Sequence, residues 1–287
     1  MGTEKTRQGP FLSRYLGYLN DIKEYFNLMT HGYQVLPAVT AELQHHAHKV
    51  RHNVYCAELN YEDHNPDGVE KDQYDHHSTQ MVVYSRTNKS YIGCVRLVHG
   101  EHAGNHYHMP FEHHCKNGLN RQLMSIIKSS GHKYAEVSRL AIDRNYRHIG
   151  RHKSKAGLTK KYGNRNSSCA LVSLYLGVIA TAKQQGIRYL FAIVEPRLLK
   201  NLERHSVPAV QIGEGLDHRG LRLPIMIDLH EVENIIPKLM RPLYSAIHRD
   251  VSKMLAMVEN ETAVEKKFAE DLHYPEPLIH AQSIVAQ

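Results

Sequence analysis

The sequence predicts an α/β fold built around one mixed sheet. Helix and strand signals alternate along the chain instead of falling into separate halves. Tyr189–Val194 (YLFAIV) has the continuous apolar character of a strand covered on both faces. Two further strand-like runs are separated by Thr87-Asn88-Lys89-Ser90, the pattern of an antiparallel hairpin.

In order along the chain, Phe11–Met29 carries apolar residues at helical spacing and predicts an amphipathic leading helix. His31–Val39 reads as a first strand. Thr40 is placed to cap the next helix, Ala41–Leu59, on which Arg51 and Tyr55 lie one turn apart. Asn60–Ser78 is polar, acidic and broken by Pro66 and Gly68, which marks a loop. The hairpin strands are Thr79–Arg86 and Tyr91–His99. Gly100–Gly118 reads as a His-rich loop, Leu119–Ser129 as a helix and Tyr134–Ile142 as a strand. Asp143–Asn166 reads as a long basic loop. Ser167–Gln185 reads as an apolar helix capped by Asn166 or Ser167 and ended by Gly186. After the strand Tyr189–Val194 comes a short helix, Glu195–His205, with Pro196 in its first turn. Val207–Ile212 and Leu221–Leu229 form a closing strand pair, and the chain is helical from Glu231 to a Pro-containing tail after Leu272. The expected organisation is a leading helix over 1–30, a main domain over 31–230 and a helical extension over 231–287.

A chain of 287 residues is long enough to bury one large core. No stretch reaches the roughly 20 apolar residues that span a bilayer, and the first residues lack the apolar segment of a signal peptide. The cytoplasm is therefore the expected compartment. The 4 cysteines lack CxxC spacing, so neither a disulfide framework nor a cysteine zinc site is expected. The net charge of +7 favours an acidic partner without saying which.

The most informative stretch is Lys133–Arg144 (KYAEVSRLAIDR), which places Glu136, Ser138 and Arg139 inside an otherwise apolar strand. Strict alternation would put Glu136, Ser138 and Leu140 on one face and Val137, Arg139 and Ala141 on the other. A carboxylate and a guanidinium inside a central strand are costly unless paired or put to use. Pairing that merely stiffens a core would account for either residue alone.

Four pieces, taken in order, add a family resemblance. VRHNVYCAELNYE holds Arg51, Tyr55 and Tyr61, and DQYD holds Asp72 and Asp75. YIGCVRL holds Gly93 and Arg96, and EVSRLAI holds Glu136 and Arg139. Together they resemble the acyl-homoserine-lactone synthase and N-acyl amino acid synthase branch of the GNAT-like acyltransferases, with the PEP-CTERM/exosortase system-associated acyltransferases as the nearest type. The resemblance runs from about Val35 to Asp228. It implies a GNAT-like fold with helical N- and C-terminal extensions, and an acyl group delivered as a thioester on acyl carrier protein or coenzyme A. An amino acid amine attacks that thioester directly, and no cofactor is permanently bound. Glu136, Ser138 and Arg139 become the catalytic candidates, with Glu136 as proton acceptor. Arg51, Asp72, Asp75, Arg96 and Arg139 become a charged network ordering the acceptor pocket, with Tyr55 and Tyr61 lining that pocket or the acyl channel. An acyl-homoserine-lactone synthase using S-adenosylmethionine is the alternative in the same class. A catalytically silent module binding an acyl carrier or nucleic acid is the alternative in another.

The basic stretch holds Arg144, Arg147, Arg151, Lys153 and Lys155, where GNAT enzymes cradle the coenzyme A pyrophosphate. His152 stands where that pattern has a small residue, and its side chain would obstruct close approach of phosphate to the backbone. Docking of an acidic carrier protein is accordingly expected here. No aromatic interleaving accompanies the charge, so nucleic acid is not expected. His106-x-His108 has metal-ligand spacing, but with 23 histidines spread along the chain it reads as composition, and no metal is expected.

Overall fold

The computed structural model describes residue 27 and residues 31–102, 104–116, 118–147, 160–204, 207–232, 236–238 and 240–271. Of residues 102, 160–168, 201, 204, 231 and 259–271 it describes the backbone alone. The expected leading helix and the tail after Leu272 lie outside these residues, apart from Asn27.

A mixed α/β fold is observed. β1 (Tyr33–Pro37) leads to α1 (Ala41–Arg51), whose N-terminus is capped as expected by Thr40, its hydroxyl accepting from the Leu43 N–H at 3.2 Å. The helix does not run on as an α-helix to Leu59. It widens into a π-helical turn over His52–Glu58, with the Leu59 N–H bonded to the Val54 carbonyl. β2 (Ser78–Ser85) and β3 (Ser90–His99) form the expected hairpin. The segment expected to be a His-rich loop holds a small ribbon, β4 (Glu101–His102) with β5 (Asn105–His106), and a short helix α2 (Pro110–His114). Helix α3 (Arg121–Ser129) starts at the cap Asn120, and strand β6 (Lys133–Ile142) follows.

The stretch expected to be a long basic loop is partly helical. α4 (Arg144–Arg147) follows β6 directly, and α5 (Lys160–Gln184) starts well before Ser167. Gly163, Asn164 and Asn166 are weak helix formers, about 0.5–1 kcal/mol each, and tertiary packing overrides such propensities. Gly186 ends α5 as expected, at φ +70. β7 (Ile187–Val194), α6 (Pro196–Arg204), β8 (Ala209–Gln211), β9 (Leu216–Asp217) and β10 (Leu221–Asp228) complete the sheet, and α7 (Arg241–Asp271) follows.

The strand order is β1-β2-β3-β6-β7-β10-β8, with β9 on β10. Among the described strands only β6 and β7 run parallel, and α5 lies between them in sequence. One face of the sheet is covered by α5 and α7, which bury Met81, Val83, Leu97 and Ala135 against Leu174 and Tyr244. Close approach of α5 depends on Gly177, where an added Cβ would lie 2.6 Å from Val35. The other face is covered by α1, against Val82, Cys94 and Ala141, and by α2 and α3, against Val98 and Phe191.

Two irregularities position the site. β6 and β7 pair as far as Glu136 opposite Phe191 and then part, leaving an opening in the middle of the sheet. Beside it β6 carries a bulge: Arg96 faces Ser138 while Cys94 faces Ala141, and Arg139 takes φ +51. The extra residue breaks the expected alternation. Val137 and Leu140 pack on the α5 side, whereas Arg139 joins Ser138 in contacts on the opposite side.

Candidate active site

The π-helical turn and the bulge aim side chains at one place. Arg51, with 0% exposure, donates from Nε to Glu70 and from Nη1 to Asp75 at 2.6 Å. Arg96, equally buried, reaches Asp72 at 2.5 Å and Asp75 at 2.7 Å through Nη1, and its Nε donates to the Ser138 hydroxyl at 3.1 Å. Arg139 Nη2 lies 3.1 Å from Glu70, 3.1 Å from Asp72 and 3.2 Å from Glu62. The turn holding the two aspartates is closed on itself, because the Asp72 N–H donates to Asp75 Oδ2 at 2.8 Å. The structure thus brings together all five residues of the expected network, and Ser138 with them.

Charge balance explains how so many ions share a half-buried volume. Arg51, Arg96 and Arg139 face Glu62, Glu70, Asp72 and Asp75, and Arg219 completes the set by reaching Glu62 at 3.1 Å. Burial alone would raise the Asp75 carboxyl, but the Arg51 hydrogen bond and charge outweigh it and hold the group down at about 2. Asp72 is likewise lowered, burial being overcome by Arg96. Burial, aided by the Arg51 charge, pushes His48 down to about 4, so it stays neutral while it contacts the Gln80 amide at 2.7 Å.

Sequence reading missed Glu62, Glu70, His48, Gln80 and Arg219. The two glutamates sit in a polar stretch where nothing distinguishes them from solvated loop acids. Arg219 is remote in sequence and reaches the network only because its loop folds back across Tyr61.

The expected lining residues divide. Tyr55 donates to the Leu140 carbonyl at 2.9 Å and borders a cavity of about 740 Å³. This cavity opens where β6 and β7 part and runs between α5, β7, β10 and α6. Ser138 and Arg139 border it at one end, and nearly all the rest of its wall is apolar, with Tyr175, Ile179, Leu190 and Ile227 as examples. Tyr61 is elsewhere. It stacks beneath Arg219, 38% exposed, and its carbonyl accepts from that guanidinium. It does not line the cavity, because its N–H bonds back to the Tyr55 carbonyl at 2.7 Å and its ring is taken up by Arg219.

Glu136 does not border the cavity. It faces the α2 side with 3% exposure, between its cross-strand neighbours Val98 and Phe191, and accepts from the Phe111 N–H at 2.8 Å. Burial raises its carboxyl to about 8, only partly opposed by that hydrogen bond. Of the basic stretch, Arg147 donates to Glu58 and borders a smaller hollow with Tyr55 and Leu140. Arg144 begins α4, and Arg151, Lys153 and Lys155 lie outside the described residues. No helix among the described residues is long and apolar enough to cross a membrane. No group of three or more His, Cys, Asp or Glu among them could hold a metal ion.

Residues 50–153 match the family model of the acetyltransferase (GNAT) domain. The chain carries a GNAT domain. This GNAT domain spans the network from Arg51 to Arg139, and the sheet around it has a GNAT-like acyltransferase fold. The far wall of the cavity, from α5 to β10, lies beyond the matched residues. Among solved structures, the chain is similar to an N-acyl amino acid synthase, FeeM, from uncultured soil microbes. Identity there is 15%, covering 70% of this chain and 93% of that one, with a TM-score of 0.46. It is also similar to BjaI, a CoA-dependent acyl-homoserine lactone synthase solved with SAM and isopentyl-CoA. That match has 17% identity, 74% and 90% coverage and a TM-score of 0.49. A third is the AHL synthase LasI, at 18% identity, 69% and 89% coverage and a TM-score of 0.44. No curated protein matches the sequence.

Proposed function

We propose that the protein is an N-acyltransferase that moves a fatty acyl group from a thioester to the amino group of an amino acid. One observation carries this reading: a long apolar cavity ends at Ser138 and Arg139, where the sheet opens beside a charged network. The cavity suits the hydrocarbon chain, and burying it contributes about 0.8 kcal/mol per methylene. The opening then holds the thioester carbonyl, and backbone N–H groups freed by the parting of β6 and β7 are candidates to stabilise the oxyanion. On the opposite side, carboxylates suit an ammonium and arginines a carboxylate, the two ends of an amino acid.

The amine nitrogen, having lost one proton, bonds to the carbonyl carbon, the tetrahedral intermediate expels the thiolate, and the nitrogen passes its second proton to that thiolate, which leaves as the free thiol. Glu136, buried and away from the cavity wall, takes the ammonium proton through water, since a carboxyl raised to about 8 is close in basicity to an α-amino group. Direct attack fits the state of the thiols, because burial pushes Cys94 to about 12 and Cys115 to about 11, far from a reactive thiolate.

The compartment is the cytoplasm in this reading, and the donor is a carrier-protein thioester docking on the basic stretch. Arg147 is already engaged by Glu58, so Arg151 and Lys155 are the residues to reverse. Changing both to Glu is expected to raise KM for an acyl-carrier thioester at low salt and leave KM for a coenzyme A thioester unchanged. An equal KM for carrier in variant and parent would remove the docking role. Release of free thiol from acyl-carrier and acyl-coenzyme A thioesters, followed with and without amino acids, tests the reaction class. Acceptor-dependent release is expected. An acceptor-independent rate, or none, would count against acyl transfer to an amine. Formation of an acylated lactone from S-adenosylmethionine would keep acyl transfer and replace the amino acid.

A further inference from the structure

We infer that Leu229, Ile236 and Met240 form the floor of the cavity and set the length of acyl chain it accepts, an inference that rests on the acyl-transfer reading. Strand register gives the cavity a direction. β6 and β7 run parallel with Glu136 opposite Phe191, so Ser138 and Arg139 lie toward the Val194 end of β7. β10 runs the other way, with Leu223 opposite Val194 and Asp228 opposite Tyr189, so Leu229 emerges at the far end. The polar lining gathers at the first end, where Glu195 and Arg222 also meet at 3.5 Å. At the second end the lining is wholly apolar, supplied by Leu229, Val232, Ile236, Pro237 and Met240. From Val194 to Leu190 the wall runs four strand residues, roughly 13 Å. A thioester carbonyl at Ser138 and Arg139 therefore sends the methyl end of its chain onto these residues.

The floor is held in place. Ile236 belongs to the same core cluster as Leu243, Tyr244, Ile247 and Val251 of α7, which packs against α5 and β1. The Met240 N–H donates to the Pro237 carbonyl at 2.7 Å, and the Met240 carbonyl accepts from Tyr244 at 2.9 Å. A wall tied into a close-packed core cannot retreat freely from a chain one carbon too long, so it measures.

Displacement of a fluorescent fatty acid from the purified full chain by saturated fatty acids of increasing length reads this directly. Affinity is expected to rise about fourfold per methylene and then stop at a limiting length. Met240→Ala moves that limit to longer chains and Met240→Phe to shorter ones. Ile236→Val, which removes a single methylene, shifts it in the same sense as Met240→Ala by a smaller step. A limit common to the parent and all three variants would overturn the floor while leaving acyl binding in place. Failure of the parent to bind any length would overturn the acyl-transfer reading itself, and the floor with it.

Discussion

Glu136→Gln lowers turnover by about a hundredfold or more, the scale of losing a general base. The variant keeps its fold, because the amide oxygen still accepts from the Phe111 N–H that Glu136 holds at 2.8 Å. The parent rate climbs with pH and levels off near 8, as the buried carboxyl ionises, and the variant lacks this limb. Stability moves the opposite way. The folded carboxyl binds its proton more tightly than the unfolded one, so stability is greatest below the ordinary carboxylate range. It declines as pH rises from about 4.5 to about 8, and Glu136→Gln removes that decline. Steady-state rates and melting temperatures across pH 5–9 measure both. Full activity with an unchanged profile would leave Glu136 as a helix-binding residue only.

Arg51→Met destabilises the protein by about 3 kcal/mol, since it removes the guanidinium shared by Glu70 and Asp75 and leaves them only Arg139 and Arg96 in a site from which water is largely excluded. For a domain of this size the melting temperature falls by on the order of 10 °C. Arg51→Lys recovers only part of this, because a single ammonium cannot donate to both carboxylates in the geometry of the guanidinium fork. The loss is also pH-dependent in the parent. Asp75 is held down at about 2, so its share of stability is present above the ordinary carboxylate range and is lost as pH falls through 4 toward 2. A melting temperature unchanged by Arg51→Met would show that the network contributes nothing to folding.

Much of this was legible in the residue pattern. Strand and helix positions followed from periodicity, Glu136 and Arg139 stood out as charges in an apolar strand, and the five-residue network followed from the family resemblance carried by four ordered motifs. The position of the bulge in β6 did not, since a period of two carries no mark where one residue is inserted. It put Arg139 on the same side as Ser138 and sent Leu140 to the cavity side, which alternation alone reversed. α2 escaped notice among histidines, although Pro110 at its first position and Glu112 behind it were a usable signal. Glu62, Glu70 and Arg219 could not be found locally, because their partners arrive through long-range folding. The cavity floor was hidden for the same reason: its apolar residues read only as an extension beyond the sheet.

Mass spectrometry of reactions containing the protein, acyl-carrier or acyl-coenzyme A thioesters and each of the twenty amino acids tests acyl transfer most directly. An amide appearing at the mass of fatty acid plus amino acid less water, in step with released thiol, is the predicted result. Thioesters that stay intact, or that only hydrolyse to the free acid with every amino acid, would contradict it.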